Sequence, residues 1–168
     1  MDFIRIGACM KERYCIYKEK LFKNVETGEG KVELVSHIYQ EGFSNYIDVI
    51  GRVHSDLFVK TVEFTEVDSI YDQIINIYFK GINFELFVPI TPISVEDNKY
   101  VLFTSSEEIA KKFDFEKKEQ FVFTKVICKE QIDSIKITQK PIKEFEKQGV
   151  KEIIIPKQEI DIWLNSIK

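Results

Sequence analysis

The residues of this 168-residue chain whose types suit nucleophilic or metal chemistry are two histidines, three cysteines and the contiguous triplet His54-Ser55-Asp56. A nucleophile, its base and the group that orients the base must converge, whereas neighbours in an extended turn point apart. His54-Ser55-Asp56 is therefore read as a turn between two strands. His37 and His54 fall in different elements, and Cys9, Cys15 and Cys128 have no CxxC spacing, so no metal site is expected. Cys128 sits in an apolar run, an environment that disfavours a thiolate. No GxGxxG or GxxxxGK phosphate loop occurs, and Gly28-Glu29-Gly30 is placed in a hairpin turn. No cofactor is expected, and the carboxylates are too numerous for a pair to be nominated as acid and base.

One local pattern points to an enzyme. Leu102-Phe103-Thr104-Ser105-Ser106, followed by Ile109-Ala110 and Phe113, resembles the Ser-Thr-Ser strand and adjoining helix of arginine-serine-glutamate ADP-ribosyltransferases. The resemblance implies a nucleotide-using transferase, with Arg5, Ser105 and Glu119 as the catalytic set in the family's order. It covers about a dozen residues; the triplet here is Thr-Ser-Ser, and no Glu-x-Glu follows.

The charge pattern points elsewhere. Net charge is −4, which excludes the basic footprint of a nucleic-acid binder. From Glu41 to Asp72 the acids Glu41, Asp48, Asp56, Glu63, Glu66, Asp68 and Asp72 face only Arg52 and Lys60. Such a section steers association with a cationic partner more than it adds affinity. The expectation is a non-catalytic protein-binding module that meets a basic protein surface through Asp56, Glu63, Glu66, Asp68 and Asp72. Immunity-type proteins that neutralise bacterial toxins, and other inhibitors or accessory proteins, share this format. A structural or assembly subunit is a third reading, because aromatic-rich strand edges can pair across chains.

The elements that position these residues are mainly strands. Arg13 to Lys23 and Lys31 to Gln40 are rich in aromatic and β-branched residues and are read as paired strands around Thr27-Gly28-Glu29-Gly30. Phe43 to Val53 and Leu57 to Phe64 follow. Ile74 to Ile90 alternates as a hairpin turning at Lys80-Gly81, with a short helix or a strand over Asp68 to Gln73. Pro89 and Pro92 close this β-rich section.

Lys99 to Thr104 and Gln120 to Cys128 are strands, and Ser105-Ser106-Glu107-Glu108 has the pattern of a capping box opening a helix through Phe113. Pro141 and Gly149 bracket another helix. The last helix, about 156–167, puts Ile160, Trp163, Leu164 and Ile167 on one stripe facing the sheet.

With 44% hydrophobic and 31% charged residues, most of the chain should pack; a chain of this size buries about 70% of its unfolded surface. The expected fold class is α+β: a mainly antiparallel β-sheet with two or three short helices. A single domain over 1–168 is expected, with a β-rich acidic portion through about residue 92 and an α+β portion from about 93. No apolar run approaches the roughly 18 residues of a membrane span, no secretory signal is evident, and the odd cysteine count suits a reducing compartment. The protein is thus expected to be soluble and cytoplasmic, without a membrane partner. Only three arginines among twenty-four basic residues, with abundant Ile, Lys and Phe, suit AT-rich coding in a bacterium.

Overall fold

The computed structural model describes residues 11–168. Most of these residues lie in antiparallel strands with a few short helices. They divide into two compact units, a first of residues 11–73 and 139–150 and a second of residues 74–138 and 151–168. No helix among the described residues is long and apolar enough to cross a membrane.

In the first unit, β1 (Lys11–Tyr17) and β2 (Lys20–Lys23) form a hairpin in which Tyr17 faces Lys20. The sequence predicts one strand over Arg13 to Lys23; the chain instead reverses at Lys18-Glu19, both at positive φ (50° and 63°). Two consecutive positive φ values match the right-handed twist of the flanking strands, which stabilises the turn without glycine. β3 (Glu26–Gly28) and β4 (Lys31–Ser36) then pair around Glu29-Gly30, so the partners of Lys31 to Ser36 are β3 and β6 (Val53–Glu63). β5 (Ser44–Ile47) completes a four-stranded sheet in the order β3-β4-β6-β5.

The turn between β5 and β6 also differs from the sequence reading. His54, Ser55 and Asp56 lie within β6, and the reversal occurs over residues 48–52. There Asp48 Oδ1 accepts the amides of Ile50 (3.1 Å) and Arg52 (2.9 Å), and Gly51 takes φ 83°. The aspartate side chain closes this turn on itself, outcompeting the polar triplet that follows.

β7 (Ser69–Phe79) passes from the first unit into the second, and it is strand throughout, so the short helix considered over Asp68 to Gln73 does not form. Its first residues lie beside β1. Cys15, Phe22, Val32, Leu34, Val62, Phe64 and Ile70 form the buried cluster of the first unit. Residues 139–150 return to it: the Ile142 amide donates to the Ile70 carbonyl (3.0 Å), and Phe145 meets Phe64 edge-on at 6.2 Å. The helix predicted between Pro141 and Gly149 is a 3-10 turn, Lys143–Gln148, ended at Gly149 with φ 80°.

In the second unit, β7 turns at Lys80-Gly81 into β8 (Ile82–Leu86), with positive φ at both turn residues. α1 (Pro92–Asp97) begins at Pro92, and the Thr91 hydroxyl caps it by accepting the Ser94 amide (3.3 Å). β9 (Tyr100–Thr104) leads to α2 (Glu107–Lys112). The cap of α2 is Ser106 rather than Ser105: Ser106 Oγ accepts the Ile109 amide (3.2 Å), and Thr104 Oγ1 accepts the Ser106 amide (3.2 Å).

β10 (Glu116–Glu119) and β11 (Val122–Ile127) continue the strand order β10-β11-β9-β8-β7. β12 (Ser134–Pro141) pairs with β7 and β13 (Lys151–Pro156), and α3 (Ile160–Asn165) follows a 3-10 turn. The core is large and aromatic. Phe79, Phe84, Phe113, Leu102, Ile127 and Ile135 are buried in it, together with Ile160 and Leu164 of α3.

Candidate functional site

The acidic residues singled out in the sequence all belong to the first unit, but the fold gives them different tasks. Asp56 is exposed on β6. Glu63, Glu66 and Asp68 are exposed at the connection from β6 to β7, where a single 3-10 turn, Phe64–Glu66, brings them close in sequence and space. Glu66 reaches back to accept the Glu63 amide (2.8 Å), and Glu63 pairs with Lys31 at 3.5 Å. Both partners of that ion pair are over half exposed, so it is screened and adds little to stability.

Asp72 is different: it is buried and occupied. Arg13 Nε donates to Asp72 Oδ1 at 2.8 Å, a second guanidinium nitrogen donates to Oδ2 at 3.2 Å, and the third donates to Thr27 Oγ1 at 2.7 Å. The sequence expectation that Asp72 meets a partner leaves out this fork. Alternation along β7 places its side chain inward, where a carboxylate needs a partner. The Asp72 hydrogen bonds raise the Arg13 pKa further above its already high value, against the opposing effect of burial. This shelf is a structural cross-tie between β1, β3 and β7.

The β5–β6 arm carries a feature that the strand pattern did not flag. Ile47 faces Val53 across the ladder, and these two with Val49 and Ile50 of the turn are at least 60% exposed. Scattered apolar side chains are normal on a surface, but these four together make one exposed apolar patch at a hairpin tip. The tip is built firmly. The His54 ring lies 3.2 Å from Asp48 Oδ2 and 5.3 Å from the Tyr46 ring, and Asn45 Nδ2 donates to the His54 carbonyl at 2.9 Å. The Arg52 amide, then the His54 ring and the Ile50 amide, hold the Asp48 carboxyl below the usual carboxylate range. The available signal was the Ile47-x-Val49-Ile50 run beside an Asp that closes an Asx turn.

Two members of the transferase set, Ser105 and Glu119, lie among the described residues. Arg5 lies outside the described residues. Ser105 is exposed just past β9, and Glu119 is exposed at the end of β10. Phe123 of β11 faces Thr104, and its neighbour Val122 faces Glu119, so Ser105 and Glu119 sit at the same end of the sheet with β11 between them. Two strand spacings separate them by about 10 Å.

Among the described residues, no group of three or more His, Cys, Asp or Glu side chains is placed to hold a metal ion. Cys15 is fully buried, and burial, with a smaller push from Asp68, raises its thiol to about 12. It is therefore a protonated packing residue at neutral pH. Cys128 is half-buried and its thiol lies 3.4 Å from Gln131 Oε1.

A family model described as "Uncharacterised conserved protein UCP033725" matches residues 9–144, and the chain belongs to that family. No curated protein and no solved structure matches the chain. The matched span takes in the β5–β6 arm, the acidic connection and the Arg13–Asp72 cross-tie.

Proposed function

We propose that this family member is a non-catalytic protein-binding module of the inhibitor or immunity type, whose first unit meets a basic surface on another protein in a bacterial cytoplasm. The observation that carries this reading is the exposure of Asp56, Glu63, Glu66 and Asp68, four acids of one continuous stretch that also bears the apolar β5–β6 tip. Acids supply long-range steering, and an apolar tip supplies the desolvated centre that a stable interface needs. We read the two units as parts of one domain, because the chain passes between them at 73/74, 138/139 and 150/151. Docking of the last helix on the sheet belongs to the same reading, with Trp163 partly buried against the core.

The test is kinetic. The partner is isolated on the immobilised full-length chain and its association measured against wild type and a Glu63→Lys, Glu66→Lys, Asp68→Lys variant. The association rate falls about tenfold or more at low salt, while the thermal midpoint stays within about 3 °C. Unchanged association removes the acidic stretch from the mechanism.

Two other readings each rest on one feature. The exposed Ile47, Val49, Ile50 and Val53 also suit an assembly subunit, which predicts self-association in light scattering over a concentration series. Ser105 and Glu119 at one end of the sheet suit a nucleotide-using transferase with Arg5, which predicts nucleotide hydrolysis or transfer that is lost in Glu119→Gln.

A further inference from the structure

A cleft on the first unit has the opposite polarity from its surroundings. It encloses about 630 Å³ between β2 and the end of β4, within the range of small-molecule sites. Lys20, Lys23, Asn24 and His37 line it, and no Asp or Glu does. In a chain where acids outnumber bases by 28 to 24, a cleft lined by two lysines and no acid is a local reversal of sign. Among the described residues, neither Lys20 nor Lys23 forms an ion pair with an acid, unlike Lys31, Lys111, Lys129 and Lys136.

The far wall is held in place before any ligand arrives. Ser36 Oγ accepts the Ile38 amide (3.1 Å) and Gln40 Nε2 (3.2 Å). Gln40 Oε1 in turn receives Lys20 Nζ at 3.4 Å. Apolar surface is offered as well: Leu21, half exposed, and Val35 both line the cleft. Two lysines without a carboxylate partner are suited to an oxyanion, and the Leu21–Val35 surface to an apolar body attached to it.

We infer that this cleft binds a small organic oxyanion, a phosphate or carboxylate carried on an apolar or aromatic group. The cleft shares no lining residue with the acidic stretch or the β5–β6 tip, although His37 of its wall lies 3.3 Å from the Asp56 carbonyl, and its test does not depend on the protein-binding reading. Its head group is recognised by Lys20 and Lys23 and its body by Leu21 and Val35.

The experiment is a titration of the isotope-labelled full chain followed by amide chemical shifts, with inorganic phosphate, phenyl phosphate and benzoate as probes. Phenyl phosphate or benzoate shifts the amides of residues 20–24 and 35–40 saturably, and the tighter of the two identifies the head group. Either binds at least about threefold more tightly than inorganic phosphate, as burial of even part of a ring requires. Lys20→Glu with Lys23→Glu weakens binding more than about tenfold, while Lys20→Arg with Lys23→Arg retains it. The inference is overturned if no probe gives saturable shifts, if the shifts fall outside these two segments, or if charge reversal leaves affinity unchanged. In those cases the two lysines serve only to keep the edge strand β2 from pairing with another chain.

Discussion

The two units use similar secondary structure for different ends. The second unit gathers Phe79, Phe84, Phe113 and Phe115 into rings 5.2–6.2 Å apart and surrounds them with buried Ile and Leu. The first unit ties strands together with a guanidinium–carboxylate fork, extends a hairpin whose tip is apolar, and keeps a cationic cleft beside acidic strands. Apolar packing is non-directional and tolerates surface change, whereas polar cross-ties fix which side chains remain free to meet a partner. The second unit is built around an aromatic cluster, whereas the first adds polar cross-ties and exposed apolar and cationic surface to its own buried cluster.

The strongest way to break that contrast is to open the aromatic core. Phe79→Ala removes a side chain that is 1% exposed and touches both Phe84 and Phe113, and it should cost about 3–5 kcal/mol in urea unfolding. A loss under about 1 kcal/mol would mean that this cluster collapses without penalty and is no scaffold. Next in size is Asp72→Ala, which strands Arg13 beside Thr27. Arg13 is about a third exposed, so the expected loss is about 2 kcal/mol, below the range for a fully buried pair. If Arg13→Met with Asp72→Leu recovers wild-type stability, the fork sets geometry rather than strength.

Alkaline pH gives a third measure. Burial raises Cys15 from 9.0 to about 12, so above pH 9 the unfolded chain ionises this thiol while the folded chain does not. The contribution is present in full below about pH 9 and is lost as pH rises toward 12, by up to about 1.4 kcal/mol per pH unit. Burial also raises Tyr14, Tyr71 and Tyr100, so the total decline is steeper, and Cys15→Ala isolates the thiol's share by flattening the slope. The smallest effect belongs to Tyr100 in the second unit. Its hydroxyl is buried with no hydrogen-bond partner among the described residues, and Tyr100→Phe should be neutral or stabilising by up to about 1 kcal/mol. Destabilisation beyond about 1 kcal/mol would reveal a polar role in the unit described as apolar scaffold.

How much was legible in the sequence follows from which rules are local. The Lys80-Gly81 turn, the end of the β-rich section at Pro89 and Pro92 and the stop at Gly149 were readable because Gly and Pro carry their own backbone preferences, whereas the short helix that begins at Pro92 was not read. The reversal at Lys18-Glu19 was not, since neither residue marks positive φ by composition; pairing of β1 with β2 imposes it. His54-Ser55-Asp56 looks like a turn, yet Asp48 supplies the hydrogen bonds that close the hairpin six residues earlier. The acidic stretch was visible as charge, but the engagement of Asp72 was not, because its partner Arg13 is 59 residues away. The cationic cleft was hidden for the same reason: Lys20 and Lys23 of β2 and His37 after β4 line one cleft although their strands belong to different sheets.

The return of residues 139–150 to the first unit has a consequence for synthesis. Ile70 gains its partner at the Ile142 amide, Ser69 its partner at Gln148 (2.6 Å), and Phe64 its neighbour at Phe145 only after most of the chain has been translated. While residues 74–138 emerge from the ribosome, the segment that precedes them waits with the edge at Ile70 open, exposed to chaperones and to pairing with other nascent chains. A ribosome halted before codon 142 would therefore hold the first unit in an unfinished form, and under the proposed function partner binding would begin only near the end of translation.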